Sequence, residues 1–229
     1  ATNYKIMNII EARMTSSRLP GKVLKTCQGL PMLAHMVERL RRSKTLDGVV
    51  VATTINVVDD PIEELAKNLG VGCFRGSEDD VLERVNLAAH AFEADIIVET
   101  PGDCPAIDWE IVDQVVEFYL EQNVDYVSNN LELTYPGGMD VQVFSLDILD
   151  DVMRRTDDPI DREHVSLFIY RNPDIYRVSN VRAPVHLNFP EIKLLLDTQE
   201  DYDLICRVFD TLYPVNNYFT CKDIVDLFK

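Results

Sequence analysis

No apolar stretch in this sequence approaches the roughly 20 residues that cross a bilayer as a helix, and no charged start leads into an apolar run. The expectation is a protein of the reduced cytoplasm that makes no use of a membrane. The five cysteines (Cys27, Cys73, Cys104, Cys206, Cys221) are odd in number and scattered, with no Cys-x-x-Cys pair and no histidine beside them, so neither a disulfide framework nor a zinc site is indicated. There is no G-x-G-x-x-G, which argues against a nicotinamide or flavin dinucleotide loop. Gly21-Lys22 is no Walker loop, because Ser16 and Val23 stand where Gly and Ser or Thr are required. Positive charge is also scarce: 22 basic against 39 acidic residues leave a net charge of −17, a surface that repels phosphate backbones. Nucleic acid is therefore not expected as a partner.

The scarce cations are unevenly placed. Arg13, Arg18, Lys22, Lys25, Arg39, Arg41, Arg42 and Lys44 occupy one stretch whose single acid is Glu38. A cationic island in an acidic chain fits a small anionic ligand. Arg41, Arg42 and Lys44 read as a solvated helix face. The length of 229 residues favours one domain over 1–229 with an inserted or appended subregion, and 46% hydrophobic content supplies a core.

Apolar periodicity predicts strands at 4–12, 48–53, 72–75 and 95–100, alternating with helices at 31–43, from Asp60-Pro61, at 79–92 and at 108–122. Such alternation implies right-handed crossovers and a mainly parallel, doubly wound α/β sheet. In the second half, strands are expected at 125–128, 141–144 and 192–196. Helices are expected at 146–155, 162–170, 200–212 and 221–228, and a turn at Tyr135-Pro136-Gly137-Gly138.

Ligands bind such sheets beyond the carboxyl ends of the strands, where strand order reverses. With the order 3-2-1-4, the segment after the first strand faces the segment after the fourth. The former, Arg13 to Lys22, carries three cations and three hydroxyls in ten residues, an inventory suited to phosphate; a solvated basic loop is the alternative. The latter holds Asp103 in Gly102-Asp103-Cys104-Pro105. Asp108 is the better cap for the helix that follows, which leaves Asp103 without a structural task. Asp197 ends the late strand, either as a second carboxylate able to share Mg²⁺ with a triphosphate or as part of a capping box. In Asp161-Arg162-Glu163-His164, Asp161 suits a helix cap, and a lone histidine is more often structural than catalytic.

Read in order, several of these segments resemble the spore-coat polysaccharide biosynthesis cytidylyltransferases (SpsF-like), relatives of the CMP-sialic acid and CMP-Kdo synthetases. The resemblance runs through Ala12 to Leu24, Phe74 to Arg84, and Gly102-Asp103-Cys104-Pro105. It continues in Tyr135 to Asp140, Arg162-Glu163-His164-Val165, and Leu196 to Asp201. It implies a nucleotide-diphospho-sugar transferase fold, a Rossmann variant of the GT-A type. It further implies that Arg13, Ser17, Arg18 and Lys22 hold the CTP phosphates, that Ala12 belongs to the nucleotide-binding set, and that Asp103 and Asp197 carry Mg²⁺. Arg75, Ser77, Asp80 and Arg84 would line the base and ribose side. Asp140, Arg162, Glu163 and His164 would fall on the acceptor side or at a dimer contact, in a subregion around 129–190; such synthetases are commonly homodimers. The expected catalytic set is Arg13, Lys22, Asp103 and Asp197.

The chain departs from that pattern at Glu99, where a basic residue is expected, at Ala106, at Gln142, where an acid is expected, and at Lys193 and Leu195. These changes leave open which anionic acceptor, acidic sugar or phosphorylated compound, receives CMP. A glycosyltransferase of the related fold would need an Asp-x-Asp at a strand end, and Asp201-Tyr202-Asp203 sits instead on a predicted helix. A non-catalytic subunit that retains the nucleotide pocket, and guanine in place of cytosine, are the remaining alternatives.

Overall fold

The computed structural model describes residues 3–229. In chain order it has β1 (Ile6–Glu11), a hairpin of β2 (Thr26–Cys27) and β3 (Leu30–Pro31), α1 (Met32–Leu40), β4 (Gly48–Thr54), α2 (Asp60–Leu69), β5 (Gly72–Gly76) and α3 (Val81–Ala91). Then follow β6 (Ile96–Pro101), α4 (Trp109–Glu121), β7 (Tyr126–Ser128), β8 (Gln142–Ser145), α5 (Leu146–Arg155), α6 (Pro159–Glu163), α7 (Leu167–Arg171), β9 (Val178–Asn180), α8 (Gln199–Leu212) and α9 (Cys221–Phe228). The seven-stranded sheet runs β5-β4-β1-β6-β8-β7-β9. Its first four strands are parallel and give the order 3-2-1-4 expected from the βα alternation. Only β8 runs against its neighbours β6 and β7.

Alternation along the strands separates two cores. Ile6 and Ile10 of β1 join Val98 of β6 beneath α1, α4, α8 and α9. Met7 and Ile9 join Ile97, Tyr126 and Phe144 beneath α3, α5 and α7. The period of two places alternate side chains on opposite faces, and helices cover both.

Three expectations are corrected. Residues 192–196 do not form a sheet strand. They run extended between two loops: Gly137 N–H donates to Ile192 O at 2.8 Å, Leu194 N–H to Gly137 O at 2.9 Å, and Leu196 N–H to Asp103 O at 2.8 Å. With loops rather than a strand as partners, only a single bridge at Lys193 forms. Gly138 has φ +100°, and a Cβ there would lie 2.6 Å from Leu194 O, so this docking requires glycine. The helix expected over 162–170 is two short helices, α6 and α7, broken where Val165 adopts φ 47°. That break buries Val165 in the α3–α5 core and brings the Ser166 hydroxyl within 3.0 Å of Tyr126 Oη. The cap of α6 is Asp158, which accepts from Ile160 N–H at 2.8 Å; Asp161 accepts from Thr156 Oγ1 instead.

Arg39 also differs from a surface cation. It is 2% exposed, donates to Ile107 O at 2.7 Å and Phe219 O at 2.6 Å, and lies over the Phe219 ring. Arg42 is exposed, as expected, and lies over the Tyr218 and Trp109 rings. No helix among the described residues is long and apolar enough to cross a membrane.

Candidate active site

A cavity of about 1140 Å³ opens at the carboxyl edge of β1 and β6. It exceeds the roughly 300–1,000 Å³ that holds one drug-sized ligand and has room for two substrates. Ala12, Arg13, Ser16, Ser17, Lys22, Asp103 and Asp197 all line it. The β1–β6 pairing brings the two loops together: Gly102 N–H donates to Glu11 O at 2.9 Å. A Cβ on Gly102 would meet that same oxygen at 2.4 Å, so glycine permits the close approach.

Two acids absent from the sequence-derived site hold the basic loop. Asp59, fully buried, accepts from Met14 N–H at 2.7 Å. Glu78 gathers Thr15 Oγ1 at 2.8 Å, Asn56 Nδ2 at 2.6 Å and Arg13 Nη1 at 3.2 Å. These donors hold the Glu78 carboxyl below its ordinary range, the Thr15 hydroxyl contributing most. The loop is thus shaped by the start of α2 and the segment before α3, contacts that local sequence does not announce.

Asp103 has one oxygen 3.9 Å from Lys22 Nζ, while Oδ1 is sealed from solvent and has no hydrogen-bond partner. Burial raises its carboxyl above the ordinary range; Lys22 opposes the shift and Asp197 adds to it. Asp197 pairs with Arg18, an exposed expected phosphate ligand that does not itself line the cavity. It is not the cap of α8: Thr198 and Asp201 form the capping box. Asp201 is therefore committed to a helix start, and the Asp201-x-Asp203 string lies within α8.

An orphaned oxygen on Asp103 beside Asp197 and Lys22 fits a divalent cation shared with phosphate oxygens. Among the described residues no three His, Cys, Asp or Glu side chains gather to hold an ion, so two carboxylates would need a ligand's oxygens to complete the shell. Asp140 lies behind Asp103, outside the cavity lining; burial and then the Asp103 charge push its carboxyl up to about 6.

The other expected residues divide. Asp80 and Arg84 line the cavity, but Asp80 caps α3 by accepting from Glu83 N–H at 3.0 Å and meets Arg162 Nη1 at 3.4 Å. Arg162, Glu163 and His164 also line it. Arg162 is tethered to the Thr156 and Met153 carbonyls, while Glu163 and His164 are exposed. Arg75 and Ser77 are not brought there. Arg75 donates to Thr54 O, Asn56 O and Asp60, which makes it a brace between β4, β5 and α2. Ser77 accepts from Asp80 N–H at 3.1 Å and offers its carbonyl to Arg84.

Deeper in the cavity, Glu11 and Glu99 bring their carboxyls together. Burial raises both and, with Glu11's charge adding to it, holds Glu99 well above the ordinary range; the Glu99 contact and then Arg84 pull Glu11 back. Asp103 also faces Glu11, and Tyr126 and Tyr170 face Glu99. The folded pair retains a proton that the unfolded chain releases above about pH 4.3. Above that value the native state binds more protons, so stability falls as pH rises toward the raised folded values. Glu99→Gln removes this loss. Its melting temperature should gain on the wild type as pH moves from about 5 to about 8, a tenfold change in proton affinity on folding corresponding to about 1.4 kcal/mol. A gap that stays constant with pH would sink the shared-proton account.

The sequence profile of the family described as cytidylyltransferase matches residues 7–220. The chain is 36% identical over 210 residues to the spore coat polysaccharide biosynthesis protein SpsF of Bacillus subtilis, covering 89% of this chain and 86% of that one. It is 28% identical over 179 residues to an 8-amino-3,8-dideoxy-manno-octulosonate cytidylyltransferase of Shewanella frigidimarina, covering 73% of this chain and 65% of that protein. The structure of a cytidylyltransferase from Leptospira borgpetersenii serovar Hardjo-bovis superposes with a TM-score of 0.93 at 33% identity, covering 98% and 94% of the two chains.

Proposed function

The chain belongs to the cytidylyltransferase family, whose members are nucleotidyltransferase enzymes, and we propose that it moves CMP from CTP, with Mg²⁺, onto an acidic sugar or phosphorylated acceptor. The observation that carries this reading is Asp103, with one oxygen 3.9 Å from Lys22 and the other buried and unpartnered, lining one large cavity together with the cations and hydroxyls of the 13–22 loop. In the proposed reaction an acceptor oxygen attacks the α-phosphorus of CTP. A new P–O bond forms, the bond to the β-phosphate oxygen breaks, pyrophosphate leaves, and the acceptor's proton passes to solvent.

Such transfer demands positioning and charge neutralisation more than covalent catalysis. Lys22, 15% exposed and beside Asp103, offers a point charge to the departing pyrophosphate. Arg13 is held toward the cavity by Glu78 and can fork onto phosphate oxygens. Ser16 and Ser17 add hydroxyl donors to the same cavity. Bound Mg²⁺, held by Asp103 and Asp197, would neutralise phosphate charge. Residues around 129–190 supply the acceptor side, with Arg162, Glu163 and His164 at its edge; a homodimer and a cytoplasmic setting in surface polysaccharide or glycoconjugate synthesis complete the proposal.

CTP at 100 times its dissociation constant should stabilise the protein by about 2.7 kcal/mol, with Mg²⁺ and not with EDTA. Thermal melting with CTP, GTP, UTP and ATP measures this. A larger shift with GTP would replace the donor, and stabilisation by none of the four would overturn the reading.

A further inference from the structure

Each of the two carboxylates that would share the metal is met by a cation of the 13–22 loop. Lys22 Nζ lies 3.9 Å from Asp103, and Arg18 Nη1 donates to Asp197. The two pairs differ in setting. The Lys22 side chain is 15% exposed and lines the cavity. The Arg18 side chain is 69% exposed and lies outside the lining, although its partner Asp197 is part of it.

The Asp197 side chain has no structural task. Its backbone is fixed by neighbours: Leu196 N–H donates to Asp103 O at 2.8 Å, and Asp197 N–H donates to Asp201 Oδ2 at 3.2 Å. Thr198 and Asp201 build the capping box of α8 between them. Among the described residues, Arg18 is the one hydrogen-bond and ion-pair partner of the Asp197 carboxyl. Asp103 feels that carboxylate as a like charge, so the two acids stand near enough to share a ligand.

A guanidinium and a divalent cation compete for one carboxylate, because both use its lone pairs and both are positive. Mg²⁺ arriving alone would have to expel Arg18 and leave the guanidinium beside a second positive ion. Mg²⁺ arriving on a triphosphate changes the exchange: the metal takes the carboxylate, and phosphate oxygens take the guanidinium. An exposed arginine makes that swap readily, since exposed ion pairs are weak. Lys22, largely buried beside Asp103, has less freedom to do so.

We infer that Arg18 is a place-holder on Asp197: it keeps a lone divalent cation off this carboxylate and yields it when a metal–nucleotide complex offers phosphate oxygens in return. Metal and nucleotide then bind as one unit, each favouring the other. The inference rests on the cytidylyltransferase reading and deepens it, giving Arg18 a task beyond holding phosphate.

The test follows Mn²⁺, which takes the same oxygen ligands as Mg²⁺ and whose paramagnetic resonance signal falls as the free ion is bound. The full chain is titrated without nucleotide as wild type, as Arg18→Ala, and as Arg18→Ala combined with Asp197→Asn. Arg18→Ala should bind Mn²⁺ at least about threefold more tightly than wild type, the scale of one exposed ion pair. Adding Asp197→Asn should cancel that gain. The factor by which Mn²⁺ tightens CTP binding should shrink in Arg18→Ala, because the metal no longer needs the nucleotide to clear its ligand. A phosphate ligand with no hold on Asp197 would leave Mn²⁺ binding unmoved. Unchanged Mn²⁺ affinity in Arg18→Ala, a gain that survives Asp197→Asn, or an undiminished coupling factor overturns the inference. A wild type that CTP does not stabilise even with Mn²⁺ overturns the underlying reading instead.

Discussion

Asp103→Asn should yield a folded protein whose pyrophosphate release falls by at least about a hundredfold, a loss of roughly 2.7–4 kcal/mol in transition-state stabilisation. The carboxyl has one sealed, unpartnered oxygen and lies 3.9 Å from Lys22. Burial and the Asp197 charge make its ionised form costly in the folded state. The substitution removes that cost, so the melting temperature should hold or rise while turnover collapses. The opposed directions distinguish a functional group from a structural one, because a structural Asp would lose stability and activity together. Retention of more than about a tenth of the wild-type rate, a loss below about 1.4 kcal/mol, would refute the proposed metal role.

Arg39→Met should be the largest stability loss among the cations of the basic stretch, about 3–5 kcal/mol. The guanidinium is the donor to Ile107 O and Phe219 O and ties α1 to the start of α4 and to the segment entering α9. Asp108 stands close by, accepting from Glu110 N–H and Cys221 N–H, each at 2.8 Å. Methionine would fill much of the volume but leave two carbonyls without donors and Asp108 without its neighbouring cation. For a chain of this length a melting-point fall of roughly 10 °C is expected. CTP binding in the surviving folded fraction should be unchanged, since Arg39 does not line the cavity. A fall of only a degree or two would mean the burial is energetically idle.

The first half of the fold was legible because local and global signals agree there. β1, β4, β5 and β6 are short apolar runs separated by helices with recognisable starts, such as Pro61 in α2 and Asp108 capping α4. Parallel strands joined by right-handed crossovers leave few arrangements, and 3-2-1-4 places Arg13–Lys22 opposite Asp103. The β2–β3 hairpin was missed because its turn is Gln28-Gly29, both at positive φ, rather than the stronger Asn-Gly signal.

The second half obeys tertiary demands. Residues 192–196 alternate like a strand, yet they find loop partners, and only those partners carry Asp197 to Asp103. Val165 takes a left-handed conformation that its side chain disfavours, because packing against α3 and α5 outweighs the local cost. Arg39 and Arg75 share residue type with Arg13 and Arg18, and nothing in composition separates a buried brace from a ligand-facing cation. Glu11 and Glu99 lie 88 positions apart in the chain; the β1–β6 pairing sets Ile9 opposite Glu99 and Glu11 two residues further along the same face, which brings the two carboxyls near each other.

Periodicity, caps and the ordered motifs pointed to the family and the layout of the first four parallel strands, because those depend on neighbours along the chain. Which carboxylates share a cavity and which arginines are braces depended on contacts between distant segments. Burial, unlike residue type, is a property of the folded chain.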